Sequence, residues 1–92
     1  MPRFICQNLL RRDEGEEWQF YSPCGSLDYS RTEVAVAFEA RCFFHAIERV
    51  FPWIAETSFR WKFLRDHDEN DEKSRVYRWE DEEEYFKVTR VD

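Results

Sequence analysis

Glycine is nearly absent from this chain, with only Gly15 and Gly25 present, and proline occurs three times. Without clustered glycines there is no loop whose backbone N–H groups cradle a phosphate, which removes the nucleotide-binding signatures. The same scarcity excludes a linker or a low-complexity segment. No apolar run reaches the ~20 residues that a membrane-spanning helix needs. The opening MPRFICQNLL is too short and too polar to read as a secretion signal. Cysteine occurs three times, as Cys6, Cys24 and Cys42. An odd number with no secretion signal reads as reduced thiols, so a soluble cytoplasmic protein is expected. An excess of basic charge is also missing: the formal net charge is −6. Phosphate contacts need Lys and Arg to release counterions, so no direct nucleic-acid partner is expected. Acidity favours instead a protein partner with a basic surface.

What the chain has is aromatic residues: nine Phe, four Trp and four Tyr in 92 residues. Each buries roughly 150–250 Å². A domain of this size hides only about 60–65% of the surface its unfolded chain exposes, so it needs such a dense core. The hydrophobic fraction of 42% beside 37% charged residues argues against disorder. No repeat and no composition shift divides the chain, and residues 1–92 read as one domain.

Periodicity supplies the elements. Arg3 to Leu10 alternates as a strand, and Glu17 to Ser22 alternates as a second, with a turn signal at Asp13-Glu14-Gly15 between them. Ser22 to Ser26 reads as a loop. Ser30-Arg31-Thr32-Glu33 matches a capping box ahead of an apolar run, which predicts a helix from about Arg31 to Val50 or Phe51, stopped by Pro52. Thr57 to Arg65, Ser74 to Trp79 and Tyr85 to Val91 read as three further strands. The order β-β-α-β-β-β predicts an α+β fold of two layers, a mostly antiparallel sheet with one long helix packed on one face.

Fourteen of the twenty acidic residues fall in three connections. Asp13, Glu14, Glu16 and Glu17 form the first, and Asp66, Asp68, Glu69, Asp71 and Glu72 the second. Glu80, Asp81, Glu82, Glu83 and Glu84 form the third. Following the chain up and down through the expected topology brings the first and third to one end of the sheet. Clustering like charges costs stability at low ionic strength, so either solvation collects them there or a basic partner does. At about 100° per residue, Val36, Ala37, Ala40, Phe43, Phe44, Ile47, Val50 and Phe51 make the expected core stripe of the helix. Val34 and Phe38 fall on its outer side with Arg41, His45 and Arg49. That placement suggests a loop folded over them, or a face for a partner or a homodimer.

Three motifs point to chemistry. Cys42-x-x-His45 has helical i, i+3 spacing and brings a metal or a nucleophile to mind. The second ligand pair of a zinc site is missing, however, and a mid-helix thiol is not activated, so no metal is assigned. Asp66-x-Asp68-x-Asn70 opens like a calcium loop, but Asp71 stands at the Gly position and Tyr77 at the Glu position. Trp18, Phe20, Trp61, Phe63, Tyr77 and Trp79 would make a base-stacking platform if one sheet face were open. No catalytic or cofactor signature is present, so the expectation is a chain that is not an enzyme and needs no cofactor.

The short single domain, the run Glu80-Asp81-Glu82-Glu83-Glu84 and the lack of catalytic motifs resemble in profile the small acidic α/β proteins with which phages and mobile elements block host defence enzymes, anti-CRISPR proteins among them. Bacterial immunity proteins and antitoxins share that profile. The resemblance implies a stoichiometric inhibitor that occupies a basic, nucleic-acid-binding site of a partner such as a host defence nuclease complex. Under this expectation the acidic residues at 13–17 and 80–84 make the contact, with Val34 and Phe38 as apolar anchors. A single-stranded nucleic-acid-binding module, or an immunity protein or antitoxin, is the alternative.

Overall fold

Arg3 to Asn8 forms the first strand, β1, with Phe4, Cys6 and Asn8 buried and Ile5 and Gln7 only half-buried. That alternation is what a strand with one covered face requires. The computed structural model describes residues 1–9, 19–24, 28–32, 34–52, 61–79 and 84–92. The further elements in chain order are β2 (Gln19–Cys24), β3 (Asp28–Thr32), β4 (Phe38–Glu39), α1 (Phe43–Val50), β5 (Trp61–Phe63), β6 (Ser74–Trp79) and β7 (Tyr85–Arg90). Among the described residues the strands form one antiparallel sheet in the order β3-β2-β1-β7-β6-β5, with β4 also on β1. Among the described residues the class is α+β, mostly sheet with a single short helix.

One edge of β1 is shared. Its upper half pairs with β2 as far as Cys6↔Tyr21, and its lower half pairs with β4 at Arg3↔Glu39 and Phe4↔Phe38. Pro23 follows in β2 and has no N–H to give a ladder, which suits a strand that is leaving its neighbour. From there β2 keeps β3 as its partner, down to Cys24↔Asp28. The expected loop is strand from Ser22 to Cys24, and residues 25–27 lie outside the described residues.

The helix is the largest departure from the sequence reading. Ser30 to Thr32 are paired with β2 instead of starting a helix, and α1 begins at Phe43, twelve residues later than expected. Thr32, Val34, Val36 and Phe38 alternate with period two, a strand-like pattern superimposed on the helical one. The β2 edge took Ser30 to Thr32 into its ladder. The end was legible: Phe51 N–H donates to Ile47 O at 3.1 Å, and Pro52 follows. Ala46, Ile47 and Val50, with Phe51 next, recur at helical spacing and are buried against β1, β2 and β7.

Under the helix lies an aromatic core. The Phe86 ring stands 4.9 Å from Phe51, 5.3 Å from Trp61 and 5.6 Å from Tyr21, measured between centroids, so one side chain ties the helix to three strands. The tilted and edge-on geometries are those that aromatic quadrupoles favour. Beneath them Asn8 Nδ2 donates to the Tyr21 hydroxyl at 3.1 Å, which gives two buried polar groups a partner in each other. On the opposite face Val76 is also fully buried. The connection between β5 and β6 folds back there: His67 packs on Tyr85 at 6.1 Å, and Glu69 pairs with Lys87 at 2.9 Å, the residue opposite Val76.

Candidate interaction surfaces

The strand directions set the charge geometry. β1 rises to Asn8, which stands opposite both Gln19 at the start of β2 and Phe86 near the start of β7. Leu9 N–H donates to Tyr85 O at 2.6 Å, and Trp79 N–H donates to Glu84 O at 3.4 Å. The last described residues before and after the 10–18 connection therefore lie at the same end of the sheet as those flanking the 80–83 connection. Glu84 is half-buried at that end. Asp13, Glu14, Glu16, Glu17, Glu80, Asp81, Glu82 and Glu83 lie outside the described residues.

Val34 and Phe38 do not sit on an outer helix face, because neither is in the helix. Val34 is 70% exposed in the segment between β3 and β4. Phe38 is half-buried in β4, opposite Phe4, and packs against the core. The two residues do not form a joint apolar face with Cys42 and His45.

Cys42 and His45 do meet, as a helix cap. Cys42 is the N-cap, and its Sγ accepts the His45 N–H at 3.4 Å. His45 Nδ1 accepts the Arg41 N–H at 2.9 Å. This is the reciprocal logic of a capping box, with a thiol and an imidazole in place of Ser and Glu. Partial burial, then the Arg41 and Arg49 charges, hold the His45 pKa below its usual value, with Glu48 opposing them. The i, i+3 spacing that suggested a metal is thus occupied by backbone N–H groups. Cys6, in β1, is fully buried, and burial pushes its thiol pKa far up.

The calcium-like run is likewise structural. Asn70 Nδ2 donates to Leu64 O at 2.6 Å and to Arg65 O at 3.0 Å, while its Oδ1 accepts the Val76 N–H at 2.8 Å. Asp71 Oδ1 accepts the Lys73 N–H at 2.8 Å, which holds its carboxyl below the usual range. The run closes the β5–β6 connection by local side-chain to backbone bonds.

The sheet aromatics divide between faces. Trp61 and Tyr77 are buried and Trp79 is half-buried, all on the face under the helix, whereas Phe20 lies on the opposite face. Trp18 lies outside the described residues, and the others do not form one open platform for stacked bases. Phe63 is the exception, 38% exposed at the β5 edge, and Phe44 in the first helical turn is 44% exposed.

Beside Phe63 lies Arg75, which the sequence did not mark as a site residue. The Arg75 guanidinium stacks over Phe43 at 4.7 Å and over Phe63 at 5.5 Å. Tyr77 in turn packs on Phe63 at 5.6 Å and on Phe44 at 6.2 Å. Strand alternation already placed Arg75 on the Tyr77 face; only the late helix start reveals Phe43 beside Arg75 and Phe44 beside Tyr77.

Among the described residues no helix is long and apolar enough to cross a membrane. Comparison with known protein families, curated proteins and solved structures yields no match.

Proposed function

We propose that this chain is a non-enzymatic protein-binding domain, a stoichiometric inhibitor whose acidic connections occupy a basic, nucleic-acid-binding surface of a partner protein. One observation carries the reading. The strand ends flanking residues 10–18 and 80–83 lie side by side, joined through the Leu9 to Tyr85 hydrogen bond. Nine of the chain's twenty carboxylates belong to these two connections and Glu84. Like charge concentrated this way attracts a basic surface at long range and sets the association rate more than the final affinity. A cytoplasmic setting suits the three free thiols. Val34 and Phe38 drop out as joint anchors, so the acidic end alone defines the contact.

The test starts with an affinity pull-down at low and high salt, with the partner identified by mass spectrometry and then purified. Reversing Glu82, Glu83 and Glu84 to Lys should weaken binding to that partner at least ~10-fold at low ionic strength and flatten its salt dependence. Unchanged affinity at low salt would remove the acidic end from the interface.

A further inference from the structure

We propose that Arg75 anchors a second docking surface, which takes the carboxylate of an acidic segment on a partner protein with a large apolar side chain beside it. The inference does not rest on the acidic end. Its first support is fixation. Phe43 and Phe63 hold the guanidinium over their rings, at 4.7 and 5.5 Å from the centroids. An arginine so held has lost its rotamer freedom before any partner arrives, and stacking leaves the remaining N–H edges free to form a bidentate fork.

The second support is charge. The chain carries twenty carboxylates, yet among the described residues none lies within ion-pair distance of Arg75, while Lys87 and Arg90 each have one. A fixed, exposed and unneutralised Arg on an acidic protein is complementary to an anion supplied from outside. The third support is apolar surface. Phe63, 38% exposed, lies against the guanidinium, and Phe44, 44% exposed, packs on the neighbouring Tyr77; arginine beside aromatic groups is the composition that concentrates binding energy at protein interfaces. A single fork suits one carboxylate. A nucleic-acid backbone would need several phosphate contacts on a protein of net charge −6.

The test is a ¹H–¹⁵N NMR titration of the whole chain with N-acetyl-phenylalanyl-glutamate amide. Saturable shifts are expected at Phe43, Phe44, Phe63 and the Arg75 side-chain N–H, with a dissociation constant of millimolar order for so small a probe. The glutamine analogue should bind about 10-fold more weakly, the loss of one charge-assisted fork. Arg75→Gln should abolish the shifts, and Arg75→Lys should leave them weakened, since a point charge replaces the fork. Phe44→Ser should weaken binding while leaving the spectrum's dispersion intact, which keeps the test valid if Arg75→Gln disturbs folding. Equal binding of the glutamine analogue, or shifts confined to other residues, would overturn the proposal. So would saturation of the same residues by an oligothymidylate of about ten nucleotides at lower concentration than the peptide. Broadening of these resonances with protein concentration alone would assign the surface to self-association instead.

Discussion

At the scale of single residues, burial separates side chains that composition treats alike. Cys6 is fully buried and its thiol is pushed far above the usual range, whereas Cys24 and Cys42 are exposed. Only thiolates react, so a chromogenic disulfide reagent should titrate two thiols in the folded protein and the third only after denaturant is added. Three fast thiols would mean that β1 opens readily. His45 gives a pH signature. Its Nδ1 must stay unprotonated to accept the Arg41 N–H, and its pKa is lowered below 6.5. Between the lowered value and 6.5 the unfolded chain therefore binds more protons than the folded one. The contribution of the cap is fully present above about pH 6.5 and is lost as the pH falls through and below it. His45→Gln keeps an acceptor but cannot titrate. The melting temperature of the native chain should therefore fall relative to that variant between about pH 7.5 and 5. A constant difference across that range would show that the imidazole does not serve the cap.

At the scale of elements, the β5–β6 connection is held by one amide. Asn70 serves two carbonyls and one N–H of the surrounding backbone. Asn70→Ala leaves three backbone groups without that partner and should cost about 1–3 kcal/mol in denaturant unfolding. Asn70→Asp keeps the acceptor for Val76 but turns a carboxylate toward the Leu64 and Arg65 oxygens. It should be at least as damaging at neutral pH and recover part of the loss on acidification, when the protonated acid regains a donor; the alanine variant should show no such recovery. Parallel recovery in both variants would mean that other carboxylates dominate there. The same connection shows what sequence can convey. Ser74 to Trp79 was legible to the residue, because its Val, Tyr and Trp favour strands and the polar residues up to Lys73 and from Glu80 bound it. The helix was legible only at its Pro52 end. Its start was hidden because residues 32–38 satisfy a period of two as well as a period of 3.6, and the choice between them was made by pairing, of Ser30 to Thr32 with β2 and of Phe38 and Glu39 with β1, which lies far back in the chain. The site followed the same rule. Alternation put Arg75 on the Tyr77 face, but the Phe43 contact exists only because α1 starts at residue 43.

At the scale of the whole molecule, the balance of charge makes a prediction about salt. Among the described residues two ion pairs are formed, Lys87 with Glu69 and Arg90 with Asp92, both at least partly exposed. Exposed pairs of this kind contribute little, about 0–1 kcal/mol each. Against them stands an excess of six negative charges, with nine carboxylates belonging to the 10–18 and 80–83 connections and Glu84, where the flanking strand ends are adjacent. Repulsion within that end opposes the compact state, and it is relieved in the unfolded chain, where the two connections separate. Added salt screens repulsions and attractions alike, over about 30 Å at 0.01 M and about 8 Å at physiological ionic strength. Where repulsion is the larger sum, screening stabilises. The melting temperature should therefore rise by a few degrees, roughly 2–5 °C, between about 0.01 and 0.2 M sodium chloride. Reversing Glu82, Glu83 and Glu84 to Lys should raise it at low salt and remove most of the salt effect, because those changes cancel the charge excess where it is densest. A melting temperature that falls with salt would show that attractive pairs outweigh the repulsion. The acidic end would then be an internally neutralised surface rather than one held ready for a basic partner.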